Sequence, residues 1–478
     1  MSVLENLQPE RVFYYFEKLC AIPHGSGNME KISEFCLDFA KAHSLCAVRD
    51  SANNVIIFKG ASEGYENAEP VILQGHLDMV CQKRADCNID FEKDGLSLYI
   101  DGDFVKAHGT TLGADNGIAV AMTLAILESK DISHPPIEAV FTTDEEVGMD
   151  GALALDMSLL SGNKLINLDS EDEDILTVSC AGGSDFSITA PLCRKKASGT
   201  PVTVTLGGLR GGHSGIEIAS GRVNSNILTG RLLNTLQSEI DFEIVSVCGG
   251  DKGNAIPLLS SLTVLTEDAD GFINKVKLCL ETVKKEISAR EPGFEFETAA
   301  GEYGVYDVIG IKKELIFLLS CAPNGVLKMS AEIEGLVETS LNLGIVSTDK
   351  ESLYMLFTLR SNKRSALAYL EKKLTALCTF IDCEIKTGGH YPPWEFKENS
   401  ELQELYKEVY RDLYGKEPRV EAIHAGLECG VLSSGKDGLD CISIGPELYD
   451  VHTVSERLSI PSTERIYKLV LEILKRCN

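Results

Sequence analysis

The sequence predicts an α/β catalytic domain, a mixed central sheet flanked by helices, with an α+β lid domain inserted into it. Three observations predict this. A short continuous apolar run at 71–73 and strand-like stretches at 137–143, 164–168 and 441–445 suit buried strands, and each leads into carboxylates or an imidazole. Amphipathic helical spacing marks both ends of the chain. The middle, residues 187–392, lacks ligand-type residues after its strands and alternates strand-like with helix-like stretches.

In chain order, residues 10–20 and 30–43 read as amphipathic helices. Val71, Ile72 and Leu73 form the first buried strand, Gly75 lets the chain turn, and His76 and Asp78 follow. Ligands of open α/β sheets sit beyond the carboxyl ends of strands, so this pair lies where sites form. Thr110 to Gly117 is a glycine-flanked loop that puts Asp115 at the start of an Ala- and Leu-rich helix over 118–127. The 137–143 strand delivers Asp144, Glu145 and Glu146, the 164–168 strand delivers Asp169, and the 441–445 strand precedes His452. Residues 463–476 close the chain as a helix with Ile466, Leu469, Val470, Ile473 and Leu474 on one face. The expected layout is a catalytic domain of 1–186 and 393–478 around an insert of 187–392. The insert's two halves, before and after about residue 305, each read as strands, such as 201–206 and 353–359, packed with one helix, 272–289 or 365–380.

Two histidines with three or four carboxylates suit zinc, cobalt or manganese better than calcium, which takes oxygen alone. Each residue by itself has a bland alternative, since a histidine after a strand is commonly a packing residue and an acidic run a solvated loop. Their recurrence at successive strand ends favours a metal site. Cys81 is a further donor beside this set, outside the His-x-Asp pattern.

With 478 residues the chain is long enough for two or three domains. Acidic residues exceed basic ones by 27, a surplus that repels phosphate backbones and anionic lipid, so no nucleic acid and no membrane partner is expected. The first residues contain no basic stretch followed by an apolar segment, and no apolar run approaches spanning length, which predicts a cytoplasmic protein. The 15 cysteines include no Cys-x-x-Cys pair, and several lie inside apolar elements, so they read as reduced core residues. Three glycine-rich turns in the insert carry His213, Asn254 and Asn324. No Gly-Lys-Ser or Gly-Lys-Thr follows the first, which removes a phosphate cradle and leaves substrate contact or plain hairpin turns.

His76-Leu-Asp78, Gly113-Ala-Asp115-Asn-Gly117, Asp144-Glu145-Glu146-Val-Gly148, Asn167-Leu-Asp169-Ser-Glu171 and the late His452 together resemble the dinuclear zinc peptidases, a clan of aminoacylases, carboxypeptidases and dipeptidases. The longer strings Thr110 to Gly117, Cys180-Ala-Gly-Gly183, Leu209 to Gly215, Asn254-Ala-Ile-Pro257 and His424 to Gly430 resemble the bacterial aminoacyl-histidine (Xaa-His) dipeptidase family, and they reach into the loops of the insert.

The resemblance implies the zinc-peptidase fold and two zinc ions, replaceable by cobalt or manganese. It implies that Asp115 bridges the metals, that His76 and Asp169 complete one, and that Glu146 and His452 complete the other. Glu145 is implied as general base, and Asp78 as the carboxylate that orients His76. A cis peptide is implied at Asp115–Asn116. His213 is implied as a hydrogen-bond donor to the oxyanion and Arg360 as the fork for the substrate carboxylate, with a structural salt bridge as its alternative. Asn254, His424 and Glu428 are expected to line the pocket. The implied activity is hydrolysis of short peptides with a free amino terminus, preferring histidine second, as in carnosine. A broader dipeptidase or aminopeptidase, or an N-acyl amino acid deacylase, uses the same metals. A non-catalytic binder on this fold is disfavoured because the base and every ligand are present. Smaller relatives take the lid histidine from a dimer partner; here the two halves of the insert let one chain supply His213, and a homodimer stays open.

Overall fold

The computed structural model describes residues 2–477, which form two compact units. The first runs to Cys180 and takes in Phe396–Ala422 and the chain from Leu427 onward; the second is Ala181–Glu395 with the short return Ile423–Gly426.

The first unit is built on an eight-stranded sheet. Its order is Cys46–Arg49, Val55–Lys59, Ile137–Thr142, Val71–His76, Lys164–Asn167, Asp440–Ser443, Ile175–Cys180 and Arg419–Ile423. The four predicted strands are contiguous and parallel, paired Val71↔Ile137, Val71↔Lys164 and Asp440↔Lys164, while the pairs with Val55–Lys59 and Ile175–Cys180 are antiparallel. Every residue of Val71–His76 and Ile137–Thr142 is buried, the polar Gln74, Glu138 and Thr142 included, which is why both strands are dominated by apolar residues. The Ala114–Glu128 helix is apolar all round and is buried between the sheet and the Glu10–Cys20 helix. A Cβ on Gly75 would stand 2.5 Å from Asn116 Oδ1 and 2.9 Å from Ala119 Cβ, so glycine permits this close approach. The helix departs from helical angles at Asp115 and Asn116, the peptide between them is cis, and regular turns begin beyond them.

The Glu10–Cys20 helix has the predicted bounds, Glu30–Ala42 stops one residue short, and Ile460–Arg476 begins earlier than Thr463 because Ser459 caps it and Pro461 fits its first turn. One small sheet lay outside the sequence reading: Leu448–Tyr449, Arg457–Ser459, Phe104–Ala107 and Leu98–Asp101.

The second unit centres on an antiparallel sheet. Its main path is Glu295–Ala300, Lys195–Gly207, Ser260–Thr266, Glu243–Gly249, Val337–Thr348, Ser352–Ser361, Gly182–Pro191 and Glu384–Tyr391. The expectation of one helix per half is corrected, because each half carries two. Ser225–Leu236 joins Ala269–Ile287, and Lys312–Cys321 joins Arg364–Cys378. Thr229 and Gly230 interrupt the apolar pattern of the first added helix, and the second spans only 10 residues, too short for a periodic signal. The halves also share one sheet, joined where Cys248 pairs with Ser347 and where Gly182–Pro191 lies between Ser352–Ser361 and Glu384–Tyr391, and one core containing Phe186, Phe272 and Phe357.

Candidate metal centre

The carboxyl ends of the four parallel strands bring the predicted ligands together. His76 ends its own strand, Glu145 and Glu146 follow Ile137–Thr142, Asp169 follows Lys164–Asn167, and His452 comes from the turns after Asp440–Ser443. Asp115 enters from the start of the buried helix. His76 Nε2 lies 3.2 Å from Asp115 Oδ1 and 3.5 Å from Asp169 Oδ1. His452 Nε2 lies 3.1 Å from Asp115 Oδ2 and 2.8 Å from Glu146 Oε1. The two oxygens of Asp115 are thus divided between two imidazoles. Ligand atoms of His76, Asp115 and Glu146 fall within 4.8 Å of one another. Ligands about 2.0–2.1 Å from a tetrahedral metal stand roughly 3.3 Å apart, which these separations match.

The electrostatics ask for the same thing. Burial opposes a charge on His76, yet Asp169, Asp115 and Asp78 hold its pKa well above the usual imidazole value. Hydrogen bonds to Asp115 and Glu146 carry His452 up to about 11. Burial pushes Glu145 well up, with His76 opposing and Asp169, Glu428 and Glu146 adding to it. Burial likewise takes Asp169 up to about 7, and Glu171 also to about 7. Among the described residues, the only cationic partners of Asp115, Glu146 and Asp169 are the two histidines. Divalent cations would supply the missing positive charge, and the nitrogen and carboxylate donors suit zinc, cobalt or manganese.

Asp78 does more than face an imidazole. Its Oδ1 is 3.3 Å from His76 Nδ1 and accepts the Glu145 N–H at 3.0 Å; its Oδ2 accepts the Ser26 hydroxyl at 2.8 Å and the Glu146 N–H at 3.3 Å. His76 Nδ1 also meets the Asp78 carbonyl at 3.0 Å, leaving Nε2 toward the carboxylates. The side chain of Asn116 accepts the His76 N–H and donates to the Leu168 carbonyl, tying two ligand segments. Cys81 stays outside the cluster, its Sγ 3.9 Å from the Met79 carbonyl. Glu428, expected to line a pocket, is fully buried instead, accepting from Gln74 at 2.5 Å and Thr142 at 2.8 Å. Sequence reasoning missed Ser26 and Glu456, because a serine in a loop and an acid four residues beyond His452 match no ligand pattern.

In the second unit, His213, Arg360 and His424 converge on Gly215. A Cβ there would meet the His424 carbonyl at 2.6 Å, His213 Cε1 at 2.9 Å and Arg360 Nε at 3.1 Å. His213 Nδ1 accepts the N–H groups of Gly215 and Ile216 at 3.2 Å each, so the neutral ring carries its proton on Nε2, a donor. Burial and Arg360 lower its pKa. Arg360 is buried, donates to Tyr391 at 2.7 Å, leaves Nε unpartnered, and has no carboxylate partner among the described residues, so the salt-bridge alternative finds no counterpart. His424 bonds Ser340 at 2.7 Å, and burial with Arg360 holds its pKa down to about 3. Asn254 contributes its carbonyl, which accepts the Ser214 N–H at 2.8 Å, while the residue itself is exposed.

The pattern describing peptidase family M20/M25/M40 matches residues 72–476. The chain belongs to that family. It is 37% identical over 99% of both chains to the cytosol non-specific dipeptidase of Escherichia coli. The crystal structure of aminoacylhistidine dipeptidase from Vibrio alginolyticus superposes with a TM-score of 0.92 at 37% identity, covering 99% of this chain and 97% of that one. Aminopeptidase PepT from Bacillus cereus shares the fold, with a TM-score of 0.58 at 14% identity over 98% and 99% of the two chains. This M20 member therefore has the mixed α/β peptidase fold that the apolar runs predict, in a family of dinuclear metal peptidases. No helix of the described residues is long and apolar enough to cross a membrane.

Proposed function

We propose that this chain is a two-zinc dipeptidase that hydrolyses dipeptides with a free amino terminus and prefers histidine in the second position. The observation that carries the reading is the division of Asp115 between His76 and His452, with Asp169 and Glu146 on the outer sides. In this reading Asp115, His76 and Asp169 would hold one ion, and Asp115, Glu146 and His452 would hold the other. The chemistry that divalent cations would supply there is polarisation of the peptide carbonyl and a lowering of the pKa of water toward roughly 7. Glu145, whose carboxyl burial already makes proton-hungry, takes the proton of the attacking water and returns it to the leaving amine. Asp78 aims this base through the Glu145 N–H.

By the motif resemblance Arg360 is assigned to grip the substrate's free carboxylate, a role supported by its buried guanidinium lacking an anion among the described residues. His213 offers Nε2–H to the developing oxyanion. His424 and Asn254 complete substrate binding. The histidine preference draws on the motif resemblance and on the name of the Vibrio enzyme, whereas the Escherichia coli relative is named non-specific. The cytoplasm is the proposed location.

The test is hydrolysis of β-Ala-His, Gly-His, Ala-Leu and N-acetyl-Ala by metal-stripped protein, with and without zinc, beside Glu145→Ala. Zinc-dependent cleavage of the histidine dipeptides, lost in the variant, is the expected result. Equal turnover of Ala-Leu would remove the histidine preference, and turnover of N-acetyl-Ala alone would make the chain a deacylase.

A further inference from the structure

Glu456 is 3% exposed and forms no ion pair with Lys, Arg or His among the described residues. A buried carboxylate without a cation is unfavourable unless donors fill its oxygens. Here the donors are main-chain groups of four consecutive residues. Oε2 accepts the N–H of Leu112 at 2.7 Å and of Gly113 at 3.2 Å, and Oε1 accepts the N–H of Ala114 at 2.9 Å and of Asp115 at 3.4 Å. The loop that carries Asp115 cannot shift without stripping this carboxylate of its donors.

Glu456 also belongs to the turn that carries His452. Its own N–H donates to the Thr453 carbonyl at 3.2 Å, and the Thr453 N–H donates to the Asp450 carbonyl at 3.2 Å. His452 itself has φ +63°, a left-handed conformation that a histidine adopts only where its surroundings hold it. Just beyond, Leu458 pairs with Val105 on the strand that leads toward the Asp115 loop. One side chain therefore joins the two loops whose ligand atoms must meet.

We infer that Glu456 is a positioning residue that sets the spacing of Asp115 and His452 and, through it, metal affinity. The inference rests on the two-metal reading above. Glu456→Gln keeps the size of the side chain but turns one acceptor oxygen into an amide donor facing two N–H groups, whereas Glu456→Asp keeps the charge on a shorter arm. Each full-length variant and the wild type are stripped of metal and titrated with cobalt, following visible absorption and affinity, and kcat and KM are then measured on Gly-His. Glu456→Gln should bind cobalt about 10- to 100-fold more weakly, with an altered visible band and a fall in kcat larger than the change in KM. Glu456→Asp should recover part of each. Wild-type affinity and spectrum in folded Glu456→Gln would overturn the inference while leaving the two-metal reading intact. If neither variant folds without metal, Glu456 is a folding residue and the inference also falls. A wild-type chain that binds no cobalt would remove both.

Discussion

Replacing Asp78 with asparagine tests how far a side chain that touches no substrate controls the chemistry. Its Oδ1 serves the Glu145 N–H and His76 Nδ1, and its Oδ2 serves the Ser26 hydroxyl and the Glu146 N–H. An asparagine keeps one acceptor. If the amide nitrogen replaces Oδ2, Ser26 can turn its hydroxyl to accept, but the Glu146 N–H then faces another donor. If it replaces Oδ1, Glu145 loses its anchor. Either orientation strands one buried N–H, which costs about 1–3 kcal/mol. At about 1.36 kcal/mol per tenfold, kcat/KM for Gly-His should fall about 5- to 150-fold. The assay is initial rate at saturating zinc, with bound metal counted and the circular dichroism spectrum compared. A rate within twofold of wild type at full metal content would refute the claim that Asp78 aims the base.

Arg360→Ala should raise KM for Gly-His at least tenfold and leave the rate on the C-terminally amidated dipeptide unchanged, because the amide has no carboxylate for the guanidinium to grip; equal effects on both substrates would remove that role. In metal-free protein, Asp169, Glu171 and Glu428, each raised to about 7, keep protons that the unfolded chain releases near pH 4, so their stabilisation is full at low pH and is lost as pH rises through about 7. His452, raised to about 11, extends the decline above pH 6.5. Scanning calorimetry with chelator should show Tm falling from pH 5 to pH 8, and zinc should raise Tm more at pH 8; a flat or rising metal-free profile would contradict this. Mixing His213→Ala with Glu145→Ala chains should restore no activity if one chain supplies both groups, and recovered turnover would show donation across a dimer.

Much of the first unit could be read from residue order. A strand buried on both faces is a mostly apolar stretch, and a site at strand ends announces itself as a carboxylate or imidazole just after each stretch, as His76, Asp169 and Glu145 do. Asp115 needed only its glycines. What escaped depends on contacts remote in sequence: Glu456 reaches the main chain of Leu112 to Asp115, and Ser26 reaches Asp78. A serine or glutamate answering backbone N–H groups has no pattern of its own, since every residue but proline offers the same donor. The same holds for Ser225–Leu236, whose helix is set by the Asn224 cap and by packing rather than by an apolar stripe. Arg360 could be suspected from its strand, but its lack of an anion is visible only in three dimensions.

The grip of Asp78 on residues 145 and 146 is a grip on their main chain. These two contacts therefore do not depend on the side chain at position 145. A single base change in a glutamate codon gives glutamine there with both main-chain contacts kept, and on the base role proposed above such a protein would still capture metal and peptide while turning nothing over. On that reading, one substitution separates cutting a peptide from merely holding it, and the reverse substitution restores the cut.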